Sequence, residues 1–199
     1  MGGLRERKKQ QTRQHIFEAS QRLFARHGFA KVKVAEAANV SEMTVYNYFP
    51  TKEDLFYAGM QFFEEQLIEA VRRRPRGESA LKAFRRRVLE GAANLGAKER
   101  TEGIATAGRA IAASPSLRAR EREIVEEYTL RLARVLGEGV EAMVVAAAMM
   151  AAHRALVAHT REQVAAGRRG AQLVEDFRTQ ARRAFARLEK GLGDYAVRA

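Results

Sequence analysis

The chain has 199 residues, 46% hydrophobic and 30% charged, enough for a buried core and too apolar for wholesale disorder. Three prolines and an excess of Ala, Glu, Arg and Leu favour helix throughout, and an all-α fold is expected because no alternating β-branched run calls for a sheet. The formal net charge of +12 attracts polyanions such as nucleic acid or an anionic membrane surface, while the absence of cysteine excludes disulfides and thiolate metal sites.

In chain order, the segment Arg5-Glu6-Arg7-Lys8-Lys9 reads as a mobile basic arm, either solvated or reaching DNA. Ile16, Ala19, Leu23 and Phe24 then share one face of a first helix over 12–27, closed by Gly28. A short second helix is expected over 34–38, with Val34, Ala37 and Ala38 available for burial, and a tight turn at Asn39-Val40. Ser41 caps a third helix over 42–48, Phe49-Pro50 stops it, and Thr51 caps a fourth over 52–73 with Asp54 as its acidic partner. Pro75-Arg76-Gly77 ends that helix. Longer helices follow at 78–95, 100–113, 116–137, 139–167 and 171–193, with Ser116 as a capping residue, which brings the expected total to about nine.

Residues 34–48 supply the parts of a helix-turn-helix: two short helices, a tight turn, and polar groups on the second helix to meet the major groove. Val34, Ala38, Val40 and Val45 hold the pair together. Thr44, Tyr46, Asn47 and Tyr48 offer hydroxyls and an amide, and Lys52 adds a charge at a helix start that suits a phosphate. Tyr46, Tyr48 and Phe49 are alternatively aromatic core residues, and Met43 either reads a thymine methyl or does nothing.

From Ala38 to Leu55, and upstream at Thr12-Arg13, Ile16, Ala19, Leu23-Phe24 and Gly28-Phe29, the sequence resembles the TetR family of transcriptional regulators. The resemblance covers about the first 60 residues. It implies a helix-turn-helix domain over 1–57 and a C-terminal helical ligand-binding and dimerisation domain over 58–199. It also implies a homodimeric repressor, released from a palindromic operator in double-stranded DNA by a small-molecule effector. On that reading Thr44, Tyr46, Tyr48 and Lys52 hold the phosphate backbone, whereas Glu42, Met43 and Asn47, on a recognition helix beginning at Ser41, meet bases. The C-terminal region resembles regulators common in high-GC actinobacteria.

Against the family pattern, the stretch after Gly28 is about three residues short of what the resemblance leads one to expect. The connection at Leu136-Gly137-Glu138-Gly139 is short as well. Both read either as trimmed loops or as residues absent from the sequence, with the second favoured because the flanking order resumes unchanged.

Effector-pocket candidates are Phe62, Phe84, Val88, Arg109, Tyr128 and Met149, large or polar residues on expected inward faces, together with His153. Each has a plainer alternative: His153 as a core histidine, Arg109 as the partner of a glutamate, Met149 as core or dimer seam. Arg178, Arg182, Arg183 and Arg187 recur along the last helix as a solvated face or a second binding surface. No nucleophile elbow, phosphate loop or metal-ligand spacing occurs, so no enzyme, cofactor or metal is expected. The apolar run at 142–152 is too short for a bilayer, and a cytoplasmic protein with no membrane partner is expected.

Overall fold

The computed structural model describes residues 3–29 and 40–192; the second helix expected over 34–38, the Asn39 turn and the short stretch after Gly28 lie outside the described residues. Among the described residues there is no β-strand, and the all-α expectation holds. They form eight α-helices: α1 (Gly3–His27), α2 (Glu42–Tyr48), α3 (Lys52–Arg72), α4 (Ala80–Gly91), α5 (Lys98–Ala113), α6 (Pro115–Leu136), α7 (Gly139–Ala165) and α8 (Gly170–Leu192). A 3-10 turn at Ala92–Gly96 follows α4.

Several boundaries differ from those read off the sequence. The basic segment taken for a mobile arm is the first part of α1. Arg, Lys, Gln and Glu are good helix formers and nothing there breaks the helix. Thr12, where the first helix was expected to begin, lies within α1 and bonds its hydroxyl back to the Lys8 carbonyl at 3.0 Å. The helix expected over 78–95 is divided, because Ser79 caps α4 by accepting from the Lys82 N–H at 3.3 Å and the chain tightens into the 3-10 turn after Gly91. Ser114 rather than Ser116 caps α6, accepting from the Leu117 N–H at 3.3 Å, and Pro115 is the first helical residue rather than a break. Between α6 and α7, Gly137 and Glu138 suffice to turn the chain, with Gly137 at φ 152° and Gly139 at φ 85°.

By length and composition α7 is apolar enough to cross a bilayer, contrary to the expectation from 142–152 alone, because alanines extend the apolar stretch. Yet Ala142, Val145, Ala146, Met149, Met150, His153, Leu156, Thr160 and Val164 form a buried face at helical spacing, the pattern of a core helix.

The chain divides into two compact units, Met1–Gln61 with Arg109–Glu121, and Phe62–Gly108 with Arg122–Ala199. In the first, Ile16, Ala19, Phe24, Val45, Phe49 and Leu55 form the core, flanked by Phe17, Leu23, Phe29, Val40, Tyr48, Phe56 and Ala58. Phe24, Phe29 and Phe56 form a ring cluster with centroids 5.4–5.7 Å apart. The inserted corner 109–121 is fastened to this unit from two sides. The Tyr57 hydroxyl donates to the Leu117 carbonyl at 3.0 Å, and the Arg120 guanidinium meets Asp54 Oδ1 at 2.7 Å.

In the second unit α8 packs against α7, α4 and the 3-10 turn through Leu173, Phe177, Ala181 and Phe185, spaced four apart. Gly91 ends α4 where any larger residue meets Phe63: a Cβ there would lie 2.8 and 3.0 Å from two ring carbons. Arg87 lies 4.7 Å over the same ring. Gly91→Ala gains helix propensity of about 1 kcal/mol but forces the ring aside at a cost of about 2 kcal/mol. A net loss of about 1 kcal/mol is expected in thermal unfolding, and unchanged or raised stability would show that Phe63 moves freely.

Candidate nucleic-acid interface

The two-turn helix α2 is too short to persist alone, so its ends and its one buried face determine whether it forms. Ser41 is extended at φ −68°, ψ 153°, and its Oγ accepts from the Thr44 N–H at 3.1 Å while pairing with Thr44 Oγ1 at 2.9 Å. At the other end Phe49 leaves the helix at φ −138°, ψ 98°, with its N–H still donating to the Val45 carbonyl at 2.9 Å. Val45 and Phe49 are buried in the core, and Arg13 of α1 lies 5.3 Å over the Phe49 ring. Ser41→Ala removes the cap and is expected to cost about 1 kcal/mol. Faster hydrogen exchange at the Thr44 amide measures that loss, and unchanged protection there would deny Ser41 its role.

With Val45 facing inward, the remaining candidates fall outward in a graded way. Met43 is 70% exposed and Tyr46 56%, while Ser41, Glu42 and Asn47 are exposed and Thr44 half-buried. Tyr48 rather than Tyr46 has its ring packed against the core. Lys52 opens α3 half-buried, its Nζ 4.8 Å from the Phe29 ring centroid. Burial lowers its pKa, and the negative charge of Glu53 acts in the opposite direction. A reciprocal cap fixes the start of that helix: Asp54 Oδ2 accepts from the Thr51 N–H at 3.1 Å and the Thr51 hydroxyl at 2.8 Å, while Thr51 Oγ1 accepts from the Asp54 N–H at 3.0 Å. One capped helix therefore presents methionine, tyrosine, asparagine and glutamate to solvent, with a lysine at the next helix start.

Sequence reasoning missed Asp54–Arg120 and Tyr57–Leu117, because contacts 66 and 60 residues apart leave no local periodicity. Arg13 over Phe49 was within reach, since both residues fall in the quoted motif.

The effector candidates scatter. Phe84, Val88, Met149 and His153 are buried in the second unit, with the Phe84 and His153 ring centroids 6.3 Å apart. Tyr128 is buried beneath Arg131, whose guanidinium lies 4.8 Å over its ring and bonds Glu65. Burial raises the Tyr128 pKa, and Arg131 pulls against it. The inward faces expected of Phe62 and Arg109 are corrected: Phe62 is 67% exposed, and Arg109 is exposed in the first unit. Phe63, one residue on, turns inward in place of Phe62 and contacts His153. An open groove of about 560 Å³ is lined by Lys82, Arg85, Arg86, Leu89, Glu90, Arg178 and Arg182, and by none of the candidates.

Residues 16–58 match the family model described as bacterial regulatory proteins, tetR family. The transcriptional regulator TcmR of Streptomyces glaucescens is 30% identical over 148 residues, 70% of this chain and 66% of that protein. LuxR of Vibrio harveyi is 46% identical over 46 residues, 22% of each chain. Among solved structures, a TetR-family regulator from Streptomyces coelicolor is 23% identical with a TM-score of 0.56, covering 88% of this chain and 93% of that one. The SmeT–triclosan complex is 16% identical with a TM-score of 0.57, covering 90% of each. NalD of Pseudomonas aeruginosa, the secondary repressor of the MexAB-OprM multidrug efflux pump, is 17% identical with a TM-score of 0.53, covering 93% of this chain and 97% of that one. These structures share the fold. The motif, the all-helical architecture and the TcmR match agree, and the chain belongs to the TetR family of DNA-binding transcriptional regulators.

Proposed function

We propose that this chain is a cytoplasmic homodimeric repressor that reads a palindromic operator with α2 and releases it when a small molecule binds its C-terminal domain. The observation that carries the reading is the outward face of α2. Met43 and Tyr46 stand in solvent on a helix that Ser41 caps and Val45 anchors, so the face is rigid enough to be read against base edges. Glu42, Met43 and Asn47 are assigned to bases; Thr44, Tyr46, Tyr48 and Lys52 are assigned to phosphates. The domains are taken as 1–57 for reading DNA and 58–199 for ligand and dimer. The effector is supported by SmeT, a neighbour in fold solved as a triclosan complex, and repression by NalD, a neighbour named as a repressor. No catalytic step is needed. Operator and effector favour different states of one dimer, so each weakens the other's binding by the same factor.

Selection of bound duplexes from a random DNA pool at near-physiological salt tests this directly. A two-fold-symmetric motif is the expected recovery. Unbiased sequence that washes off with salt would leave only the +12 charge acting on the phosphate backbone, and the repressor reading would fall.

A further inference from the structure

Glu64 of α3 and His153 of α7 meet inside the second unit, with Glu64 Oε1 3.4 Å from His153 Nε2. They are 3% and 6% exposed. Their facing atoms satisfy one valence each, and the other two polar atoms, Glu64 Oε2 and His153 Nδ1, are buried without a hydrogen-bond partner. Around them the surroundings are aromatic. The Phe63 ring lies 5.6 Å from the imidazole, the Phe84 ring meets it edge-on at 6.3 Å, and Phe185 backs Phe84 at 6.1 Å.

A carboxylate and an imidazole in so apolar a setting are costly to retain, and a core that only needed filling is as well served by apolar residues of the same size. Buried polar atoms left open therefore need a reason. Their chemistry also restricts what can meet them. A carboxylate oxygen only accepts, and when Nε2 carries its proton toward Glu64, Nδ1 is an acceptor as well. Whatever completes Oε2 must donate, and an anionic group brings nothing that Oε2 can receive.

We propose that Glu64 and His153 are the polar recognition element for the effector, and that the effector is an apolar, non-anionic molecule bearing an N–H or O–H donor. The proposal rests on the ligand-responsive reading above. It places the donor group at Oε2, with the apolar body against Phe63 and Phe84. Small-molecule sites combine aromatic walls with a few placed polar groups.

The test uses the full chain and two fluorescent probes with a common aromatic skeleton: N-phenylnaphthylamine, neutral with one N–H donor, and anilinonaphthalenesulfonate, its anionic counterpart. N-phenylnaphthylamine is expected to saturate at one per protomer and to bind more tightly than the sulfonate. Glu64→Gln is expected to weaken it about tenfold, as loss of a hydrogen bond to a charged group implies. The double variant Glu64→Leu with His153→Phe replaces the pair by an apolar one. It is expected to stay folded, with unchanged or raised thermal stability, while losing the preference for the neutral probe. Absence of saturable binding, equal affinity in all three proteins, or preference for the sulfonate would overturn the assignment and leave the two atoms to buried water.

Operator affinity measured in the same samples separates the site from the reading beneath it. Probe binding that follows the pair while operator affinity stays fixed would uphold the site and remove its effector role. Release of the operator by a compound indifferent to both substitutions would uphold ligand response and sink this site.

Discussion

Replacing Asp54 by alanine is expected to destabilise the first unit by about 3 kcal/mol, at the lower end of what breaking a buried ion pair costs. Two losses combine. Asp54 Oδ2 holds the Thr51 N–H and hydroxyl that close the start of α3, and Oδ1 receives both Nε and Nη2 of Arg120 at 2.7 Å. The carboxylate is nearly enclosed, whereas Arg120 keeps part of its surface in solvent, which trims the pair's share through screening. Losing the cap alone costs about 1 kcal/mol, and loss of the charge pairing with Arg120 accounts for much of the rest. A fall in melting temperature of roughly 6–12 °C follows for a chain of this size.

Asp54→Asn separates the two contributions, because an amide oxygen still accepts from Thr51 but no longer offers Arg120 a full charge. Its loss is expected to lie between that of wild type and Asp54→Ala. In the double variant with Arg120→Ala, the two single losses are expected not to add, leaving a coupling of at least 1 kcal/mol. Strict additivity would mean that the pair contributes nothing and that the cap is the whole effect.

The local features of this molecule were legible in the sequence because they are local. Ser41 as a cap, Thr51 with Asp54 as a reciprocal cap, and Gly28 at φ 73° with its N–H on the Phe24 carbonyl each need only a few consecutive residues to recognise. The buried face of α1 and the arginine face of α8 followed from three- and four-residue spacing. Spacing failed wherever the answer depends on a partner far along the chain. Phe62 and Phe63 are adjacent aromatic residues on one helix, and only the packing of α4 and α7 decides which turns inward. The start of α1 was misread for a different reason: charge suggested solvation, and solvation was taken for disorder, although exposed Arg, Lys and Glu are compatible with helix.

Lys52→Ala together with Tyr48→Phe is expected to weaken binding to every duplex while leaving the preferred sequence unchanged. The reason lies in what the two side chains offer. Tyr48 has its ring packed in the core, so its hydroxyl is the group left to bond outside, and a backbone oxygen asks for no more. Lys52 carries a charge held against the Phe29 ring, and burial already lowers its pKa, so an approaching phosphate restores the field that burial withdraws. The proposed dimer uses each lysine once per half-site. Losing two charged contacts of about 1.5 kcal/mol each lowers affinity roughly a hundredfold at low salt. The slope of log affinity against log salt should become shallower by roughly 2, because each lysine no longer displaces a counterion. Met43→Ala should behave in the opposite way. Its side chain is exposed and uncharged, so the salt slope stays fixed while discrimination at one base pair of each half-site falls by about 1 kcal/mol. Titrations of operator and scrambled duplexes across a salt series read both effects together. A changed sequence preference in the Lys52 and Tyr48 variant, or a changed slope in Met43→Ala, would exchange the two roles and require α2 to sit in the groove on a different face.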